Sequence, residues 1–432
     1  MSIKRSEEPL TVTLHLGSFL HAPKGHSEGK SDAALAVKAG RILAFDDASR
    51  MRQRFPQANV IQHPGLIVPG FVDAHVHFPQ LAMAGAHGES LLDWLDRYTF
   101  PAELAYSDVS YATARAGQFV SMLRRAGTTS ALVFGVSFEP AVRALFEAMR
   151  QERMAGASGV VWMDREGPEP LLQGASACYD SSLRLLNEFG NSGALRYAVL
   201  PRFAPSCSGE MLEAAGALLR DHPDTLMQTH LSESRDEVEW VRRLFPEHAS
   251  YTEVYHHFGL CTAQSSFAHG IHLSAEELKL LSTTGSRLVH CPSANLFLGS
   301  GLFSYDRARS SGVPTALGSD VGAGTSLCLL DVIRDVYSVQ MTQGTRLSVG
   351  ELLYMATQAG AELLGLGDDA GSFAIGKRAD FVVLRPIWDD LFAARWAQCE
   401  SMEDQFFAAA LLGGTSAIAS TTIAGRTTIH PG

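Results

Sequence analysis

The stretch GFVDAHVH at residues 70–77 continues an apolar run that includes Leu66 and Val68, and it ends in two histidines separated by one valine. Side chains two positions apart on a strand point to the same face, so His75 and His77 are expected to project together. The run before them is apolar on both faces, which is typical of a strand in a parallel sheet covered by helices. The stretch therefore predicts a buried parallel strand that ends in a chelating pair.

Further β-rich runs follow this strand, and a helical pattern comes after each of them. They span residues 128–135, 158–164, 195–203, 225–230, 265–269, 286–292 and 314–320. One helix is expected to start at Ser107, and another at Ser274, where Glu277 completes the spacing of a capping box. Eight strands that alternate with helices predict an α/β fold, a (β/α)₈ TIM-type barrel over residues 67–372. A doubly wound open sheet is the competing architecture, but no G-x-G-x-x-G follows the first strand.

Both ends of the chain fall outside this alternation. The β-rich segments there span residues 11–20, 34–45, 379–385 and 421–430, and the second and the last contain a Gly-Arg pair where a hairpin can turn. A helix that begins at Ser348, with Glu351 three residues later, is expected to close the barrel. We expect residues 1–66 and 373–432 to form one small β-sandwich domain together.

The composition is that of a globular chain without the features of a nucleic-acid or lipid-binding protein. Its 432 residues are 46% hydrophobic and carry a formal net charge of −11. Acidic and basic residues are mixed along the chain, so no basic stripe exists for phosphate backbones or anionic lipid. Residues 1–13 lack the apolar core of a signal peptide, and no run of about 18 apolar residues predicts a membrane span. We expect a cytosolic protein without nucleic-acid or membrane partners.

Polar residues recur where the predicted strands end. They are His75 and His77 after the first strand, Arg202 after the fourth, His230 after the fifth, His269 after the sixth and Asp320 after the eighth. In a (β/α)₈ barrel these carboxyl ends form the rim that carries the chemistry. Three of these four histidines together with the aspartate would suit zinc or iron, with one position left for water. The pattern predicts a catalytic metal site.

A hydrolytic reaction can be assigned to these residues. A catalytic metal lowers the pKa of bound water from near 16 to about 7, but a leaving group still needs a proton. Glu233 lies three residues beyond His230 and is placed to act as a general acid and base. Asp320 can accept the proton of the water, and His269 can orient the hydroxide. Each residue alone has a simpler role, such as a core histidine or a helix cap, but their joint placement favours a hydrolytic site.

The pattern resembles the amidohydrolase superfamily, with D-A-H-x-H on the first strand, one histidine after strands five and six, and an aspartate after strand eight. No lysine stands at the end of strand four, where binuclear members carry a bridging lysine, and this implies a single metal ion. Nearly the whole chain is similar to the guanine deaminase family within that superfamily. The similar stretches are residues 88–103, 161–165, 200–207, 229–241, 290–303 and 318–326, together with His75, His77 and Gln80.

The resemblance implies zinc-dependent hydrolysis of guanine to xanthine and ammonia by a homodimer, with iron as the alternative metal. Glu233 would protonate a ring nitrogen beside the amine-bearing carbon, so that hydroxide can add there. An arginine fork and a glutamine amide suit the polar edge of a purine, and an aromatic face can cover its ring. The implied metal ligands are His75, His77, His230 and Asp320, and the implied substrate contacts are Gln80, Arg202, Phe203 and His269.

Other functions use the same metal ligands. They include deaminases of cytosine, adenosine and S-adenosylhomocysteine, triazine chlorohydrolases and imidazolone hydrolases, and a non-catalytic scaffold could keep the fold. The loop after the first strand and the segment around Arg202 favour guanine, and the carboxylate of Glu233 argues against a scaffold. We interpret Trp94, which follows Leu91 and Leu92, as helix core rather than as a site residue. His290, which lies beside a strand end, receives no role.

Overall fold

A computed structural model describes residues 11–87, 91–190, 193–386 and 390–430 of the chain. Three parts of the predicted features lie outside these ranges. They are the first ten residues of the segment without signal-peptide features, residues 88–90 of the similar stretch 88–103, and the ends of the expected β-domain. Within them, every helix is too short or too polar to cross a membrane.

Sixteen strands lie within the described ranges. They are β1 (Thr13–His21), β2 (Glu28–Lys38), β3 (Arg41–Asp47), β4 (Asn59–Pro69), β5 (Phe71–His77), β6 (Thr128–Phe134), β7 (Ala155–Ser158), β8 (Val161–Trp162), β9 (Leu195–Pro201), β10 (Leu226–Leu231), β11 (Ser265–His269), β12 (Arg287–His290), β13 (Thr315–Leu317), β14 (Phe381–Leu384), β15 (Ile418–Ile423) and β16 (Arg426–Ile429).

The helices alternate with the strands of the barrel and also cover its ends. They are α1 (Ala48–Arg54), α2 (Leu91–Trp94), α3 (Phe100–Leu104), α4 (Val109–Arg125), α5 (Glu139–Gln151), α6 (Ala175–Phe189), α7 (Gly209–Asp221), α8 (Arg235–Leu244), α9 (Tyr251–His257), α10 (Ala275–Thr284), α11 (Pro292–Phe297), α12 (Tyr305–Ser310), α13 (Leu329–Thr342), α14 (Val349–Ala356), α15 (Gln358–Leu363), α16 (Asp390–Trp396) and α17 (Met402–Ala408). Short 3₁₀ helices span Phe78–Met83, Ala105–Ser107, Glu169–Leu171, Ala204–Ser206 and Gly414–Ala417, and π-helical turns span Leu95–Thr99 and Ala409–Gly413.

The predicted (β/α)₈ barrel is confirmed. Its parallel strands follow the order β5, β6, β7, β9, β10, β11, β12 and β13, and β8 pairs with β9 beyond the point where β7 ends. The single third strand predicted at residues 158–164 is thus two short strands, β7 and β8. The last strand returns to the first, because the backbone N–H of Asp320 donates to the carbonyl oxygen of His75 at 2.8 Å. The same junction joins Ser319 to Asp73, whose Oδ1 accepts the Ser319 N–H at 2.9 Å.

The helix predicted to start at Ser107 begins two residues later, at Val109. Its cap is Asp108, whose Oδ1 accepts the N–H groups of Ser110 at 2.8 Å and of Tyr111 at 3.1 Å. The hydroxyl of Ser107 donates instead to a carbonyl of the preceding turn. The carboxylate is the stronger acceptor for the free N–H groups at a helix N-terminus, and it therefore fixes the start of α4.

Two predicted capping boxes are confirmed. Ser274 and Glu277 exchange hydrogen bonds at the start of α10, and Ser348 and Glu351 do so at the start of α14. The second helix is shorter than the sequence pattern predicts, because the backbone turns at Thr357 (φ −133°, ψ −85°) and separates α14 from α15. Thr357 lies in a buried position between the barrel and the returning chain.

The expected β-domain is built from both ends of the chain. One seven-stranded sheet has the order β16, β15, β14, β4, β1, β2 and β3, so β14 of the C-terminal segment pairs directly with β4. The hairpins turn at Gly40 and Gly425, the glycines of the two Gly-Arg pairs, and both have a positive φ. The strand β4 runs from Asn59 to Pro69 and so crosses residues 66 and 67, and the domain division drawn there and at residue 373 stays a prediction.

Two buried histidines face each other within this sheet. Nδ1 of His15 on β1 lies 2.9 Å from Nε2 of His63 on β4, and the rings stack with centroids 5.2 Å apart. Phe381 packs its ring edge against both. Burial lowers the pKa of His15 to about 3 and that of His63 to about 4. Both imidazoles are therefore neutral at pH 7.

This pair makes a prediction for stability against pH. The unfolded chain binds protons at these histidines below about pH 6.5, whereas the folded sheet excludes them, so acid favours unfolding. Each histidine removes about 1.4 kcal/mol of unfolding free energy per pH unit in that window. His63→Phe should make the unfolding free energy in urea fall less steeply between about pH 6 and pH 5 than in the wild type. His26→Leu, at an exposed position, should match the wild-type slope, and a His63→Phe slope that also matches it would contradict the assignment.

Candidate active site

The carboxyl ends of the barrel strands surround one pocket with an empty volume of about 440 Å³. All of the predicted site residues except His75 line it, and His75 lies buried beside it with Nε2 at 3.3 Å from Oδ1 of Asp320. The lining residues are His77, Gln80, Trp94, Leu95, Arg202, Phe203, His230, Glu233, His269, Leu298, Asp320 and Ala323. The structure thus brings together residues that are as much as 245 positions apart, from His75 to Asp320.

The nitrogen and oxygen donors predicted to bind a metal lie close together. Nε2 of His77 lies 3.2 Å from Oδ1 of Asp320 and 3.3 Å from Nε2 of His230. His75, His77 and Asp320 each offer a ligand atom within 4.8 Å of the others, and so do His75, His230 and His269. Nε2 of His75 and Nε2 of His269 are buried without a hydrogen-bond partner among the described residues. These unpartnered donors, all aimed at one point, fit a divalent metal ion.

The electrostatics of the cluster also suit a cation. Burial lowers the pKa of His77 to about 4, and burial also lowers the pKa values of His230 and His269. Burial opposes ionisation of Asp320, but its contacts with the imidazoles of His75 and His77 outweigh this and hold the pKa of Asp320 well below its usual range. Burial lowers the pKa of His75 as well, but its contact with Asp320 outweighs this and the net shift is upward. A metal ion needs neutral imidazoles and an ionised carboxylate, which the shifts at the other three histidines and at Asp320 favour, and a metal that binds His75 would displace the proton that Asp320 favours there.

A second layer of residues fixes the orientation of the imidazole rings. Nδ1 of His75 lies 2.7 Å from Oε1 of Gln228, and Nδ1 of His269 lies 2.8 Å from Oδ1 of Asn295. Nδ1 of His230 lies 2.6 Å from the backbone carbonyl oxygen of Arg202. An Nδ1–H that donates to oxygen leaves Nε2 with the lone pair that a metal binds. Gln228 and Asn295 are not predicted from the sequence, because no local pattern relates them to a histidine far away in the chain.

Two site residues occupy the left-handed region of backbone conformation. The φ angle is 71° at His269 and 50° at Asp320, and neither residue is a glycine. This conformation costs free energy for a side chain with a Cβ, so the surrounding contacts must hold it. At Asp320 the backbone N–H donates to His75 at 2.8 Å and the carbonyl accepts from Gly324 at 2.6 Å. The backbone bends so that each side chain turns from its strand end into the pocket.

Glu233 is a buried carboxylate beside the donor cluster and outside the predicted ligand set. Its Oε2 lies 3.6 Å from Nε2 of His269, and its Oε1 accepts from the hydroxyl of Ser300 at 3.4 Å. Its backbone N–H donates to Oε2 of Glu237, which fixes the turn before α8. Burial, reinforced by the charge of Asp320, raises the pKa of Glu233 to about 8. Glu233 therefore has a carboxyl group that can hold and release a proton near neutral pH.

Gln80, Arg202 and Phe203 also line the pocket. Nη1 of Arg202 donates to both carboxylate oxygens of Glu103, at 2.9 and 2.7 Å. The Nε2 atom of Gln80 donates to Oε1 of the same carboxylate at 3.3 Å. Phe203 is 5% exposed and packs edge to face against Trp240. Glu103 was not among the predicted site residues, although it ends the similar stretch 88–103.

The structure adds to the sequence interpretation of two residues, Trp94 and His290. Trp94 was interpreted as helix core, and the side chain is indeed buried, with Nε1 donating to the carbonyl oxygen of Ala86 at 2.9 Å. It also lines the pocket, beside the predicted site residues. His290 is buried at the end of β12 and stacks on Phe303 at 4.5 Å between centroids. It does not line the pocket, and neither ring nitrogen has a hydrogen-bond partner among the described residues.

Comparisons with known proteins agree with this arrangement. The model of the Amidohydrolase family matches residues 66–419. Guanine deaminase of Escherichia coli (strain K12) is 42% identical over 397 residues, which cover 91% of this chain and 90% of that protein. The solved structure of E. coli guanine deaminase matches with a TM-score of 0.94 and 39% identity, over 98% of this chain and 100% of that one. Guanine deaminase from C. acetobutylicum with bound guanine in the active site matches with a TM-score of 0.90 and 27% identity, over 97% and 100%.

The second layer predicts how tightly the cluster holds a metal. Gln228→Leu removes the acceptor for Nδ1–H of His75, so this ring loses its fixed orientation and tautomer. We expect the affinity for a divalent metal to fall about 10- to 100-fold, measured by competition with a chromophoric chelator. The matched control is Gln340→Leu, a buried glutamine that bonds to Phe303 and Tyr305. It should keep the wild-type affinity, and equal affinities in wild type and Gln228→Leu would refute the role of Gln228.

Proposed function

This chain belongs to the amidohydrolase family, and we propose that it catalyses the hydrolytic deamination of guanine to xanthine and ammonia. One observation carries the proposal: a single buried pocket joins a metal-donor cluster, a proton-bearing Glu233 and the hydrogen-bond donors of Arg202. Relatives that share most of the chain are guanine deaminases, and one of them has guanine bound in its active site.

We infer that one zinc ion binds at His75, His77, His230 and Asp320. Histidine nitrogen with carboxylate oxygen suits zinc, and iron would fit the same donors. A bound metal of this kind lowers the pKa of a coordinated water to about 7, which supplies hydroxide at neutral pH. The unpartnered Nε2 atom of His75 supports this assignment.

The residues of the chain would manage the protons of the reaction. Glu233 holds a proton near neutral pH and would donate it to a ring nitrogen beside the amine-bearing carbon, which makes that carbon more electrophilic. Asp320 would accept a proton from the attacking water, and His269 would orient that water by hydrogen bonding. The amine must leave as ammonia, so one proton is relayed to it while the carbon gains the oxygen of the water. One water is consumed, and xanthine and ammonia are the balanced products.

Arg202 and Gln80 would orient the purine. Guanine carries a carbonyl oxygen and ring nitrogens in one plane, and Arg202 and Gln80 offer donors along that edge. Phe203 and Trp94 line the pocket with aromatic surface that can cover a flat ring. Related aminopurines, pyrimidines or triazines would use the same metal donors, and they differ from guanine at the edge that faces Arg202.

We further propose that the enzyme is a homodimer that serves guanine catabolism in the cytosol. The resemblance to the guanine deaminase family supports the dimer, and light scattering of the purified protein measures its mass directly. A mass of one chain would contradict the dimer without bearing on the chemistry.

The function is tested with purified protein and guanine, by following xanthine and ammonia. Wild type should produce both in equal amounts with about one zinc per chain by elemental analysis. Glu233→Gln removes the carboxyl proton and keeps the shape of the side chain, so we expect turnover to fall by about 10²-fold or more with unchanged zinc content.

Glu239→Gln is the matched control, because Glu239 lies on α8 at an exposed position and pairs with Arg242 at the surface. It should retain wild-type turnover. Metal-loaded wild type that fails to convert guanine would reject the substrate, and a panel of aminopyrimidines and triazines would then be assayed. Full activity of Glu233→Gln would reject the proposed role of the carboxyl group and leave the substrate standing.

A further inference from the structure

The carboxylate of Glu103 is buried against Arg202, which lines the pocket. Neither the family resemblance nor the predicted ligand set gives Glu103 a role. Its side chain is 2% exposed and that of Arg202 is 4% exposed. The two residues are 99 positions apart in the chain, and their ion pair joins α3, which carries Glu103, to the segment that directly follows β9. A fully buried charge pair is costly to desolvate, so it is retained where it fixes a geometry that other residues need.

The ion pair leaves most of the arginine fork open. Both hydrogen bonds to Glu103 come from Nη1 of Arg202, one to each carboxylate oxygen. Nη2 and Nε donate to no other described residue, and Arg202 lines the pocket. The ring of Phe100 covers the guanidinium, with its centroid 5.1 Å from Cζ. The guanidinium is thus held at one nitrogen and along one face, and its remaining donors are free for a ligand.

The backbone between α2 and α3 explains how one short segment both lines the pocket and contacts Arg202. A π-helical turn at Leu95–Thr99 separates α2 from α3 and changes the helical register. Trp94 and Leu95, at its start, line the pocket, while Phe100 and Glu103, after it, contact Arg202. Glu103 also accepts from Nε2 of Gln80 at 3.3 Å, so one carboxylate orients two of the four predicted purine contacts.

We propose that Glu103 is a positioning residue that sets specificity for a carbonyl oxygen on the purine. This inference rests on the proposed function and deepens it. With Nη1 held by Glu103, Arg202 presents donors alone to the ligand, because a guanidinium has no acceptor. A purine with oxygen at that edge pairs with them, whereas a purine without it leaves buried donors unpaired. The carboxylate also compensates the buried positive charge, so that the neutral purine does not have to.

The test compares guanine with 2-aminopurine, which keeps the amine and lacks the carbonyl oxygen. Glu103→Gln keeps the size of the side chain and removes its charge, so Arg202 loses its fixed orientation. We expect the KM for guanine to rise by about 10-fold or more, and the competitive inhibition constant of 2-aminopurine to change by less than about 3-fold. Zinc content and the kcat for guanine should stay much closer to wild type than the KM does.

The matched control is Glu139→Gln. Glu139 lies on α5 outside the barrel and pairs with Arg143 and Arg184, so its substitution also breaks arginine contacts to a carboxylate, away from the pocket. It should leave both constants at wild-type values. Equal fold-changes for guanine and 2-aminopurine in Glu103→Gln, or a loss of kcat with unchanged KM, would overturn the proposal, because a general structural role predicts those results.

Glu103→Asp provides the second variant if Glu103→Gln fails to fold. It keeps the charge and withdraws the carboxylate by one methylene, so the KM for guanine should rise while the inhibition constant of 2-aminopurine does not. A Glu103→Asp enzyme with wild-type constants for both ligands would refute the proposal. Wild-type enzyme is assayed first: if it fails to convert guanine, the proposed function fails and the specificity role fails with it. If wild type is active and only the selectivity pattern is absent, the role of Glu103 fails alone.

Discussion

Burial of a donor cluster at the rim of the barrel is the constraint on which the rest of the structure depends. Several imidazoles and the carboxylate of Asp320 lie where water is largely excluded, and their lone pairs face one another. Such a cluster is unfavourable unless a cation compensates it, because Nε2 of His75 and Nε2 of His269 are buried and no donor among the described residues satisfies them. Gln228 and Asn295 accept hydrogen bonds from Nδ1 of the same two rings, and this gives the rings one orientation before a metal arrives.

The junction that closes the barrel also brings two of the site residues together. His75 ends the first barrel strand and Asp320 follows the last, and a backbone hydrogen bond of 2.8 Å joins them. Asp73 supports the same junction by accepting both the N–H and the hydroxyl of Ser319. A metal held by His75 and Asp320 would therefore link the ends of the sheet, and its binding free energy would add to the stability of the closed barrel.

The sequence predicts what depends on local pattern and misses what depends on distant contacts. Strand ends can be located from apolar runs, so the predicted ligand histidines and Asp320 can be assigned to one rim without knowledge of the packing, and the structure brings them together. Glu103 and Gln228 could not be found in this way, because their meaning comes from partners 99 and 153 residues away. Helical spacing predicts that Trp94 lies on a buried face, but it does not show whether that face meets a core or a pocket. The break at Thr357 depends in the same way on the surrounding tertiary structure, which overrides a continuous helical pattern.

Two buried glutamates in this site show how surroundings divide chemical roles. Glu103 meets the guanidinium of Arg202, so its negative charge is compensated and it serves to orient a cation. Glu233 pairs with no arginine or lysine among the described residues, and burial together with the charge of Asp320 raises its pKa to about 8. The first carboxylate is suited to recognition, and the second is suited to proton transfer. Exchange of these environments would exchange the roles, since only a carboxylate that meets a guanidinium can fix its direction.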